Sequence, residues 1–147
     1  MKRFPFAALS ICLALLTAGI APQASAQEVK IVAHPDISRS TLSRDEIRQI
    51  FLGRKTQWDD GNQRVHFVVL KEGDTHETFV RQFVGKTPSQ FSNYWKKMIF
   101  TGKGRAPQSF STSEDVVALV AETAGAIGYV PPETDTPGVK IISITAQ

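Results

Sequence analysis

Arg64-Val65-His66-Phe67-Val68-Val69-Leu70 runs without a break into Lys71-Glu72-Gly73-Asp74-Thr75, and this stretch decides the fold. Its first half is an apolar, β-branched run, which predicts a strand buried on both faces. Its second half is turn chemistry, and Asp74 with Glu77 three residues on makes a capping box that opens a helix. Phe79, Val80, Phe83 and Val84 then form that helix's apolar stripe. A buried strand feeding a helix in this way belongs to a sheet with helices packed on its faces.

Working outward, the same alternation recurs. Val29-Lys30-Ile31-Val32-Ala33 reads as a first strand and His34 to Ser40 as a polar loop. Ser43 and Glu46 make a capping box for a helix near 44 to 52, with Ile47, Ile50 and Phe51 on one face and Gly53 as its stop. Trp58-Asp59-Asp60-Gly61 is a turn. Downstream, Thr87, Pro88 and Gln90 start a third helix, in which Phe91, Tyr94, Trp95, Met98 and Ile99 recur at helical spacing. That spacing makes these aromatic side chains core, and a ligand-stacking platform is the competing reading. A glycine-rich basic loop, Thr101 to Arg105, follows. Ser113 is expected to cap a fourth helix, with Val116, Val117 and Val120 buried and Gly125 at its end. Ala126 to Val130 and Val139 to Ile144 are the last two strands, the first closed by Pro131-Pro132. The prediction is an α/β domain: a small mixed sheet flanked by about four helices.

The first 26 residues read as a secretory signal, with Lys2 and Arg3, an apolar stretch from about Phe6 to Ile20, and the small-residue site Ala24-Ser25-Ala26. The expected working domain is therefore 27–147, periplasmic or secreted, with no membrane insertion once the signal is cleaved. Cys12, the only cysteine, lies within the signal, so the domain is expected to hold together by its apolar core without disulfides. Removing Lys2 and Arg3 from the 17 basic residues leaves 15 against 14 acidic ones. A near-neutral surface gives no electrostatic reason for binding nucleic acid.

Three segments are candidates for a ligand site. Lys71, Gly73, Asp74 and Thr75 sit where a strand ends and a helix begins, and helix N-termini offer unpaired N–H groups and partial positive charge to anions. The alternative is that Asp74 merely caps the helix. Ser38, Ser40 and Thr41 offer hydroxyls at the end of a strand, a preferred ligand position in open α/β sheets. Lys103 and Arg105 could meet an anion by charge-assisted hydrogen bonds, or be a solvated loop. His34, His66 and His76 have no metal-ligand spacing, and no nucleophile elbow, P-loop or dinucleotide fingerprint is present. No catalysis, metal or cofactor is predicted.

Several stretches resemble one family. Ile50-Phe51-Leu52-Gly53-Arg54-Lys55-Thr56-Gln57-Trp58-Asp59-Asp60 is similar to the I-F-x-G-K-x-x-x-W-x-D stretch of the phosphate-binding proteins that serve ABC importers. Gly73-Asp74-Thr75 resembles their S-G-T phosphate turn, and Gly125-Ala126-Ile127-Gly128-Tyr129 their G-A-I-G-Y segment. Tyr94-Trp95 with Ile99-Phe100-Thr101-Gly102-Lys103-Gly104 resembles the Y-W-x-x-x-I-F-x-G-x-G stretch of short, single-lobe relatives. The resemblance implies one lobe of the type II periplasmic-binding-protein fold and a small anion, phosphate, bound for uptake or sensing. It also implies an envelope or transporter protein as partner; the alternative is a ligand-free interaction module or accessory subunit. Two departures bear on function. Gly73 and Asp74 replace the serine and glycine of S-G-T, and the two-lobed proteins hold phosphate between lobes, of which this chain matches only the second.

Overall fold

The structure is a computed structural model that describes residues 29–145. The predicted signal, with Cys12, lies outside the described residues. In chain order the elements are β1 (Lys30–Ala33), β2 (Thr41–Ser43), α1 (Arg44–Phe51), β3 (His66–Leu70), α2 (Asp74–Phe79), α3 (Pro88–Phe100), β4 (Gln108–Phe110), α4 (Ser113–Glu122), β5 (Ala126–Val130) and β6 (Lys140–Thr145). A π-helical segment, Val80–Val84, continues α2 and ends at Gly85, whose φ of 72° stops it.

The six strands form one mixed sheet in the order β2-β6-β1-β5-β3-β4. Only β1 runs against its neighbours; every other adjacent pair is parallel. Five strands thus share a direction, which gives the sheet a carboxyl end and an amino end. Side chains alternate across the pleat. Phe67 and Tyr129 face α1, α2 and α3, where Phe51 and Phe79 meet them. Val68 and Gly128 lie against α4, and a Cβ on Gly128 would come within 2.8 Å of Val68 and 2.9 Å of Val116. Helices therefore cover both faces, as the buried strand run predicts.

Local signals set the helix starts. Capping boxes form at α1 and α3: Ser43 Oγ accepts from Glu46 N–H and Thr87 Oγ1 from Gln90 N–H, and each partner side chain reaches back to its cap's own N–H. At α4 the cap is Thr112 and not the expected Ser113. Two neighbouring hydroxyl residues compete there, and the extended backbone at Thr112 lets its oxygen accept from Asp115 N–H. β2 and β4 were not expected. Each has only three residues and pairs at a sheet edge, too short for alternation to register. Of the predicted α3 stripe, Phe91 and Trp95 are buried and Tyr94 and Met98 partly so, while Ile99 lies exposed.

The stretches behind the family resemblance hold one another in place. Trp58 Nε1 donates to the Gly125 carbonyl (3.0 Å), and Tyr94 Oη donates to the Leu52 carbonyl (2.7 Å). At Gly53, φ is 69°, and a Cβ there would lie 2.7 Å from the Trp95 ring. At Gly125, φ is 78°, and a Cβ would lie 2.1 Å from the Arg64 carbonyl oxygen. Glycine is required at both places by approach as well as by dihedral.

Candidate functional site

The turn from β3 into α2 lies at the carboxyl end of the sheet. Gly73 adopts φ 100°, a region open to glycine, and occupies the N-cap position with no side-chain cap bond. Asp74 is consequently the first helical residue, which corrects the expected Asp74–Glu77 capping box. Glu77 instead donates its N–H to the Gly73 carbonyl (3.0 Å), and its carboxylate pairs with Arg81 (2.8 Å). The amides of the first helical turn are left without a side-chain acceptor. Thr75 is half-buried, whereas Lys71 and Asp74 are exposed, and Lys71 N–H anchors the turn by donating to the Phe110 carbonyl (2.9 Å).

Directly beneath this turn is a polar group in the core that sequence reasoning missed. Tyr129 is fully buried, its ring stacked on Phe79 at 3.7 Å between centroids. Its hydroxyl accepts from Leu70 N–H (3.1 Å) and lies 2.6 Å from Nδ1 of His76. Among the described residues Nδ1 is the one acceptor within reach of the buried hydroxyl's proton, so the hydroxyl is satisfied by donating to Nδ1, with the imidazole proton on Nε2. Burial holds the His76 pKa below the usual histidine range and pushes that of Tyr129 up. The last strand residue, the first turn of α2 and β5 are thus joined through one oxygen. Tyr129 was legible in the G-A-I-G-Y segment, but nothing in the spacing points to His76 as its partner.

The other candidates lie elsewhere. Ser38, Ser40 and Thr41 run along the β2 edge, where the Ser40 carbonyl accepts from Ser143 N–H (2.9 Å) and Thr41 pairs with Ser143. Three strands separate β2 from β3, a distance of about 19 Å at the usual spacing. The neighbouring Arg39 is bound into an ion-pair cluster with Glu46, Lys55 and Asp59. The hydrogen bond from Lys55, with the Arg39 charge beside it, holds the Asp59 carboxyl below the usual range. Lys103 and Arg105 sit in the loop before β4, on the rim of a cavity of about 540 Å³ near the amino end of β3, which His66 and Phe67 also line. The length of β3, about 16 Å, separates them from the turn at Gly73. These three groups do not share a mouth, because β1 runs antiparallel and carries the 34–40 loop to the amino end, while β4, parallel to β3, places its entry loop there too. Among the described residues no group of three His, Cys, Asp or Glu side chains could hold a metal ion, and no helix is long and apolar enough to cross a membrane.

This architecture is found in solved structures. PstS from Borrelia burgdorferi superposes with a TM-score of 0.62 at 12% identity, over 81% of this chain and 47% of its own. An ABC-type phosphate transport receptor from Vibrio cholerae gives 0.54 at 15% identity, over 81% of this chain and 47% of its own. A Clostridium perfringens protein solved with bound phosphate gives 0.59 at 19% identity, over 79% and 44%. The chain has the fold of roughly half of each of these structures. It spans less than half the length of each of these structures. No family model matches the chain, and no curated protein matches it significantly. The fold expectation is therefore met by shape at identities of 12–19%. In the lobe, G-A-I-G-Y is architecture: Gly125 and Gly128 permit close packing, and Tyr129 supports the turn at Gly73.

Proposed function

We propose that the lobe is an exported solute-binding domain, not an enzyme, that takes a small anion at the Gly73–Thr75 turn, with phosphate the first candidate. Residues 1–26 would be its signal and 27–147 the working domain. The observation that carries this reading is the uncapped first turn of α2 at the carboxyl end of β3: its free amides and the Thr75 hydroxyl are donors suited to an oxyanion. The likeness to a protein solved with bound phosphate supports it. Ser38, Ser40, Thr41, Lys103 and Arg105 are left out of this site, since they lie too far away to reach the same ion. A lone lobe buries little of a ligand, so its affinity is expected to be low unless a second chain, from a transporter or an envelope complex, closes over the turn.

A second reading follows from the same dispersal: the lobe serves as an interaction module or accessory subunit that has lost its ligand. The exposed carboxylate of Asp74 beside the free amides favours it. Isothermal titration of the purified protein with phosphate at low ionic strength, with sulfate as control, separates the two. Under the anion reading, phosphate gives saturable heat that sulfate does not. Asp74→Gly then raises affinity by roughly tenfold, by removing a like charge, and Thr75→Val lowers it. No heat with either anion, in the wild type and in Asp74→Gly alike, leaves the interaction reading.

A further inference from the structure

The cavity at the amino end of β3 is unlike the turn at Gly73 in both charge and chemistry. Arg64, His66, Lys103 and Arg105 line it, and no aspartate or glutamate does. Arg64, Lys103 and Arg105 take part in no ion pair among the described residues, so their charges are available to a ligand. An oxyanion in the cavity would accept charge-assisted hydrogen bonds from these side chains. The volume of about 540 Å³ falls within the range of small-molecule pockets.

Apolar residues line the remainder of the cavity. Phe67, Trp95 and Met98 contribute to the wall, with Phe67 and Trp95 ring centroids 5.4 Å apart. Trp95 is fixed by the two loops around it: a Cβ at Gly53 would lie 2.7 Å from its ring, and one at Gly104 3.1 Å. The side chain is only 5% exposed, yet its indole N–H has no hydrogen-bond partner, the sole buried side-chain polar atom so placed among the described residues. Trp95 lines the cavity, so its indole N–H resonance reports on what occupies the space beside it. The lining thus combines two chemistries, a basic edge and an apolar aromatic wall.

We propose that this cavity is a second ligand site, which takes a small aromatic oxyanion, its ring against Phe67, Trp95 and Met98 and its charged group on Lys103, Arg105 and Arg64. This site does not depend on whether the Gly73 turn binds phosphate. The chain contains only two tryptophans, so the indole N–H resonances of Trp58 and Trp95 can be told apart with a single Trp→Phe variant. Phenyl phosphate is titrated into the ¹⁵N-labelled protein at low salt, with benzyl alcohol as the uncharged control. The expected result is a saturable shift of the Trp95 resonance with phenyl phosphate and none with benzyl alcohol. Affinity falls tenfold or more in Lys103→Ala/Arg105→Ala, whose changes lie in an exposed loop, and is unchanged in Asp74→Gly. An unmoved Trp95 resonance overturns the proposal. So does equal binding by the double variant, or an equal shift with benzyl alcohol.

Discussion

Replacing Tyr129 by Phe removes one oxygen and keeps the ring. The stack on Phe79 at 3.7 Å and the contact with Phe51 at 5.8 Å survive, so the loss reports on the hydroxyl alone. Two groups lose their partner: Leu70 N–H, which donates to the hydroxyl at 3.1 Å, and His76 Nδ1 at 2.6 Å. Tyr129 is fully buried and His76 is 7% exposed, so water does not readily replace the missing oxygen. An unsatisfied buried group costs about 1–3 kcal/mol, so the pair gives about 2–6 kcal/mol. For a domain of this size that corresponds to a fall in Tm of roughly 10–20 °C. Urea unfolding followed by circular dichroism, with the m-value unchanged, measures it. Adding His76→Leu to Tyr129→Phe removes one of the two orphans, and the double variant should therefore be less destabilised than the sum of the singles by about 1 kcal/mol. A loss below about 0.5 kcal/mol for Tyr129→Phe would refute the reasoning, because the hydroxyl would then not be the sole partner of these groups.

Other substitutions test the remaining joints. Gly125→Ala places a Cβ 2.1 Å from the Arg64 carbonyl at a φ of 78°; the expected cost is at least about 3 kcal/mol, seen as loss of soluble folded protein or of the cooperative urea transition. Gly128→Ala presses only on the side chains of Val68, Val116 and Val120, which can give way; it should cost about 1–3 kcal/mol in the same assay. Burial holds the His76 pKa down, so the unfolded chain takes up a proton before the folded one does. Stability should therefore be flat above about pH 6.5 and fall as pH drops below it, and His76→Leu should flatten that part of the curve. Arg39→Ala breaks the bonds to Glu46 and Asp59 on a partly exposed surface, and should change stability by roughly 0–1 kcal/mol, less in high salt.

Sequence alone determined the elements whose signals are local. Ser43 with Glu46 and Thr87 with Gln90 start their helices as read, because a capping box closes within four residues. The apolar runs at 30–33, 66–70 and 126–130 are strands, buried on both faces except at the starts of the first two, and their alternation with helices sets the α/β class. Where two local signals compete, sequence loses its grip: Thr112 takes the cap from Ser113, and Gly73 takes it from Asp74. Both outcomes turn on backbone dihedrals set by the neighbouring strands. The three-residue strands at 41–43 and 108–110 exist only because a longer strand is there to pair with them. The sites were decided by tertiary structure above all. Sequence order says nothing of strand order, and the order β2-β6-β1-β5-β3-β4 is what separates the hydroxyls at 38–41, the turn at 73–75 and the cations at 103 and 105. It also brings Arg64 and Trp95 to the cavity beside Lys103, and lays the Tyr129 hydroxyl between His76 and Leu70, contacts across 53 and 59 residues of chain that no local pattern encodes.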